Sequence, residues 1–154
     1  MYFLSFLTLP WIFRNFVLQN SPMTTSNSKS KNRQRPVILS AEVRNNMSEI
    51  EKFQNTTIRP VIKMLHPILI ISFKHYFQNK KNKFYDFSEE KRMEYITNIF
   101  QKDIAFKNEL KGMVIGNFTT EEFESYQKIS SESSKRILAM VKERILNSIH
   151  EFTQ

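Results

Sequence analysis

The chain has 154 residues, a net charge of +8, only two glycines and no cysteine. That length suits one ordinary domain, able to bury enough surface without a disulfide or metal staple. The missing cysteine excludes thiolate catalysis, cysteine zinc sites and disulfide scaffolds, and it favours a reducing, cytoplasmic setting. The scarcity of glycine argues against an all-β domain and against phosphate-cradling loops, both of which draw on positive φ or close backbone approach.

The charge is unevenly spread. Residues 1–36 hold Arg14, Lys29, Lys31, Arg33 and Arg35 and no acid, while the rest of the chain carries a net charge of only +3. The high pI is therefore a property of the N-terminal stretch more than of the domain behind it.

Residues 1–22 open with an apolar, aromatic run that Pro10 and Arg14 interrupt. It is shorter than the roughly 20 residues a membrane-spanning helix needs. It also lacks the basic start and small-residue cleavage site of a signal peptide. A membrane anchor is the weaker reading; the stronger one is that the biological protein begins at Met23. Residues 23–47 form a basic tail and lead-in, polar enough up to Arg35 to be expected disordered.

The helical domain is expected over residues 48–150. Ser48-Glu49-Ile50-Glu51 has the pattern of a capping box, in which a serine hydroxyl and a glutamate satisfy the first helical N–H groups. Ile58, Val61, Ile62, Leu65, Leu69, Phe73, Tyr76 and Phe77 then recur at helical spacing. Pro60 belongs in the first turn of a second helix or at a kink, and Pro67 is expected to kink the helix within its apolar run. Asn79–Lys83 ends this pattern. Asp86 or Ser88 can cap the next helix, whose apolar residues are Met93, Ile96, Ile99 and Phe100. Asp103 can cap a third helix with Ile104, Phe106, Leu110, Met113 and Val114.

Gly112 is expected at a close packing contact, and Gly116 as the left-handed residue that stops this helix. Thr119 and Glu122 form a second capping box, and Phe118 and Phe123 match a hydrophobic staple. One long helix should follow, burying Tyr126, Ile129, Ile137, Leu138, Val141, Ile145 and Ile149. Its serines at 130, 131, 133 and 134 permit close approach or mark a weak point. No segment alternates with a period of two. The fold class is all-α: a compact bundle of about four helices, the first interrupted or kinked by proline, with no sheet.

Few residues offer chemistry. His66 and His75 are nine positions apart, and at about 100° per residue they fall on opposite helix faces. His150 sits at an end expected to fray, and each histidine reads as an ordinary surface or boundary residue. The glutamates at 89–90 and 121–124 lie in first helical turns, where the helix dipole already accounts for them. No catalytic, metal or cofactor site emerges. The basic candidates for nucleic acid are Lys29, Lys31, Arg33 and Arg35 in the tail and Lys80, Lys81 and Lys83 in a lysine–aromatic segment. The competing reading of that segment is a helix end with aromatics inward and lysines in water.

The stretch from Glu51 to Ile149 resembles a family of short flavobacterial hypothetical proteins. The likeness rests on Phe53–Pro60, Gln101-Lys102-Asp103, Leu110–Gly116, Phe118-Thr119 and Met140–Arg144. Members of that family are sometimes labelled glyoxalase. The label implies strand-borne His and Glu ligands or a histidine-rich metal motif, and this chain has neither, so no functional residue transfers. The function expected is that of a non-catalytic cytoplasmic interaction or self-association module, with an unknown protein partner or a second copy. A nucleic-acid-associated protein is the alternative, and the glyoxalase-labelled enzyme comes third.

Overall fold

The computed structural model describes residues 35–38, 43–44, 46–80 and 83–152, all within the compact unit Arg33–Gln154. The apolar segment 1–22, the basic tail as far as residue 34 and Lys81 lie outside the described residues.

Helix α1 runs from Glu49 to Asn79. Ser48 caps it with the expected box, its hydroxyl accepting from the Glu51 N–H while the Glu51 carboxylate accepts from the Ser48 N–H. Pro60 does not end the helix. It has no N–H to donate, and its ring crowds the carbonyl one turn back. The turn just before it, Gln54–Ile58, is widened, so that the Arg59 N–H reaches back five residues to the Gln54 carbonyl. Such a π-turn passes the backbone around the proline without breaking the ladder. Pro67 lies inside the α-helical stretch Arg59–Asn79, on its exposed side.

Helix α2 spans Glu89–Lys102, capped by Ser88, and α3 spans Ile104–Ile115, capped by Asp103. Helix α4 spans Thr120–Lys128, with both halves of the Thr119–Glu122 box formed, and α5 spans Ser130–Asn147. There is no strand among the described residues. The last two helices were expected to be one. They part at Ile129, whose φ of −126° and ψ of 25° are not helical, immediately before the run of serines. Serine has modest helix propensity and competes for backbone hydrogen bonds. The break leaves Tyr126 and Ser134 hydrogen-bonded to each other across the corner, 2.8 Å apart.

Helix α5 is the hub, packing against α1, α2, α3 and α4. Its Ile137, Val141 and Ile145 are fully buried. Ser133 is also fully buried, small enough for close helix approach, and its hydroxyl has no hydrogen-bond partner among the described residues.

Four further expectations need correction. Gly116 is not left-handed: its φ is −65°. The helix ends instead by tightening, with Asn117 N–H on the Val114 carbonyl and Phe118 N–H on the Ile115 carbonyl, and the Asn117 side chain caps the Met113 carbonyl. Gly112 makes no close contact, because a Cβ there would meet nothing within 4 Å. Met93 and Ile104, counted as apolar-face residues, are exposed. The C-terminus does not fray at His150. A short turn, Ile149–Glu151, folds back and buries Phe152. Its ring centroid lies 5.1 Å from that of Phe73 and 5.8 Å from that of Phe84. Phe77 stacks on Phe84 at 4.4 Å, so these four phenylalanines form one interlocked cluster. Arg92 ties down the turn that carries Phe84 by donating to the carbonyls of Phe84, Tyr85 and Phe87.

Candidate functional site

The side chains most able to recognise a partner gather where the C-terminal half of α1 meets the junction of α2 and α3. Asp103 ends one helix and starts the next. One of its carboxylate oxygens accepts the Phe106 N–H at 2.9 Å, and the other accepts the Tyr76 hydroxyl at 2.8 Å. Tyr76 lies on the shoulder of the apolar face of α1, and its ring packs on Phe106 at 4.2 Å. Lys80, one turn further along, reaches within 4.0 Å of the same carboxylate and lies over the Tyr76 ring.

A groove of about 480 Å³ opens beside this bond, lined by Tyr76, Lys80, Tyr95, Ile99, Lys102 and Ile104 among others. Ile104 is 67 % exposed at its mouth. It follows the N-cap directly, so it projects from the first turn of α3 before that helix reaches the core.

The electrostatics suit recognition better than proton transfer. The Phe106 N–H, and after it the Tyr76 hydroxyl, hold the Asp103 carboxyl below the usual carboxylate range. Burial, reinforced by Asp103, pushes the Tyr76 phenol well above its usual range. The two shifts place the proton on tyrosine and the charge on aspartate throughout the neutral range, so neither of the two exchanges a proton near pH 7.

The histidines are scattered. His66 Nε2 lies 3.1 Å from Glu151, and His75 Nε2 lies 2.8 Å from the Asn79 amide. His150 is exposed. No three His, Cys, Asp or Glu side chains are grouped to hold a metal ion among the described residues.

Of the basic candidates, Lys29, Lys31, Arg33 and Lys81 lie outside the described residues. Arg35 is half-buried against α4, donating to both oxygens of Glu122 and to the Asn117 carbonyl. Lys80 stands at the groove, and Lys83 is exposed beside the buried Phe84. Burial opposes the ionisation of Glu122, but Arg35, the Thr119 N–H and the Thr57 hydroxyl together hold its carboxyl below the usual range.

Sequence reasoning read Asp103 only as a cap, and Tyr76 as part of an apolar face and of a lysine–aromatic segment. Their bond spans 27 residues, and no local spacing announces it. Compared with known proteins, the chain matches no protein-family model, no curated protein and no solved structure.

Proposed function

We propose that this chain is a non-catalytic cytoplasmic interaction module, a bundle of about four helices bent at Pro67, that docks an acidic amphipathic segment in the Tyr76–Tyr95–Ile104 groove. The observation that carries this reading is the combination of an exposed isoleucine and two tyrosine rings with Lys80 and Lys102 on one concave face. An apolar floor with a basic rim selects an apolar anchor flanked by carboxylates. The chain itself carries such a segment on α4, where exposed Phe123 stands between Glu121 and Glu124. The simplest occupant is therefore α4 of a second copy, and a contact between two different surfaces builds head-to-tail assemblies.

Sedimentation velocity over a range of concentrations tests this. The wild type should self-associate, less so at high salt, while Ile104→Glu and Phe123→Ser should each weaken association by about tenfold or more. A wild type that stays monomeric removes the second copy as occupant. In that case a photo-crosslinker at position 104 in native cells should trap a partner that Lys102→Glu loses, and no such crosslink would overturn the proposal.

A further inference from the structure

A second cavity, of about 510 Å³, lies between α1 and α5 on the seam where these helices pack. It is lined by Arg59, Ile62 and Lys63 from α1, Met140, Glu143, Arg144 and Asn147 from α5, and Ile38 from the N-terminal segment. Arg59 and Lys63 are one turn apart on α1, as are Met140 and Arg144 on α5, so each helix presents a continuous strip of its surface to the cavity.

The other half-buried arginines among the described residues are well served. Arg35 holds Glu122, Arg92 holds three carbonyls, and Arg136 donates to the Gln54 side chain at 2.7 Å. Arg59 and Arg144 are half-buried like these three, yet neither has a hydrogen bond or ion pair among the described residues. Both line this one cavity. Lys63 has no partner among the described residues either, and Glu143 shares the cavity without pairing with any of the three cations. Polar contacts flank this part of the seam. Arg136 bonds Gln54 on one side of the cavity, and His66 bonds Glu151 on the other. Only the stretch between them leaves its charges unmatched.

We infer that this cavity binds a small phosphomonoester. Among the described residues, three cations against one carboxylate give the lining a charge of +2, the complement of a phosphomonoester, which carries a charge of about −1.5 to −2 at neutral pH. Guanidinium groups match phosphate geometry through paired N–H donors, and a lysine adds a third point charge. Ile38, Ile62 and Met140 supply an apolar wall for a short carbon skeleton, and Glu143 and Asn147 can accept from its hydroxyl or amine groups. The Glu143 carboxylate disfavours a second phosphoryl group, which argues against polyphosphates. The cavity is within the size range that holds small ligands. Among the described residues, none of the cations first considered for nucleic acid, Arg35, Lys80 and Lys83, lines it.

Calorimetric titration of the full chain with inorganic phosphate and with glycerol 3-phosphate, at ionic strength matched with chloride, is the test. Saturable binding at one site per chain is expected. Arg59→Gln and Arg144→Gln should each weaken it by about tenfold or more, and Lys91→Gln, exposed on α2, should leave it unchanged. Because neither guanidinium holds the fold together, both variants should melt like the wild type without ligand, and phosphate should raise the melting temperature of the wild type more than that of either. Glu143→Gln keeps all three cations and should bind phosphate more tightly. Absence of saturable binding to either probe would overturn the inference. So would equal losses in Lys91→Gln and in the two arginine variants, or a stronger response to an oligonucleotide without terminal phosphates, since either marks diffuse polyelectrolyte attraction.

Discussion

The two ends of α1 are held to the rest of the protein by different chemistry. At its C-terminal end, Phe73 and Phe77 interlock with Phe84 and Phe152, all four at most 1 % exposed. At its N-terminal end the π-turn carries Thr57, whose hydroxyl donates to Glu122 at 3.1 Å, and Gln54, which accepts from Arg136. Glu122 in turn receives Arg35 and completes the cap of α4. One end is dry and depends on shape; the other is half-wet and depends on charge. The aromatic end should respond to lost volume and ignore pH and salt, and the polar end should do the reverse.

The largest effect should come from Phe152→Ala. It removes a ring from a closed cluster, where such truncations cost about 3–5 kcal/mol because the cavity collapses only partly. Urea unfolding should show this loss at every pH from 5 to 8, and a loss under about 1 kcal/mol would mean that the C-terminal turn is not docked as described.

Glu122→Gln probes the other end and should cost about 1–2 kcal/mol at neutral pH. The folded carboxyl titrates below the ordinary glutamate value of 4.5. Its contribution is therefore complete above that value and lost as the pH falls through the depressed folded one. The gap between wild type and Glu122→Gln should close only in acid, and it should narrow with salt because the pair is partly exposed. A gap that persists at low pH would assign Glu122 a packing role instead.

The smallest effect should come from a site that belongs to neither end. Gly112 is helical and exposed, with open space where a Cβ would stand. Gly112→Ala should raise stability by about 0.5–1 kcal/mol through backbone entropy and helix propensity. Gly116→Ala should gain less, because its Cβ would come within 3.1 Å of the Gly112 carbonyl oxygen. Equal gains at the two positions would contradict the way the helix end is described.

Much of the architecture was readable one helix at a time. Ser48, Ser88, Asp103 and Thr119 all cap helices as their spacing predicted, because capping is a bond between residues three apart. The periodic apolar residues of α1 are buried as expected. The misreadings fall where a local pattern allowed two outcomes. A run of serines can sit inside a helix or follow a break, and here α4 and α5 part just before it. Phe152 lay past the last periodic residue, so nothing local distinguished it from a frayed end.

The candidate sites were less legible than the fold. Ile104 read as an apolar-face residue, and Tyr76 and Asp103 meet across two helices. Arg59 and Arg144 stand on separate helices, and no local spacing pairs them.

By itself, the sequence determined an all-helical chain, its caps and most of its buried face, because these depend on hydrogen bonds and periodicities within a few residues. The tertiary structure alone decided that α1 runs unbroken past Pro60, that Phe152 closes the core, and that two arginines share a cavity with neither in an ion pair among the described residues. Each of those outcomes is set by groups far apart in the chain, whose mutual distances only the packed helices fix.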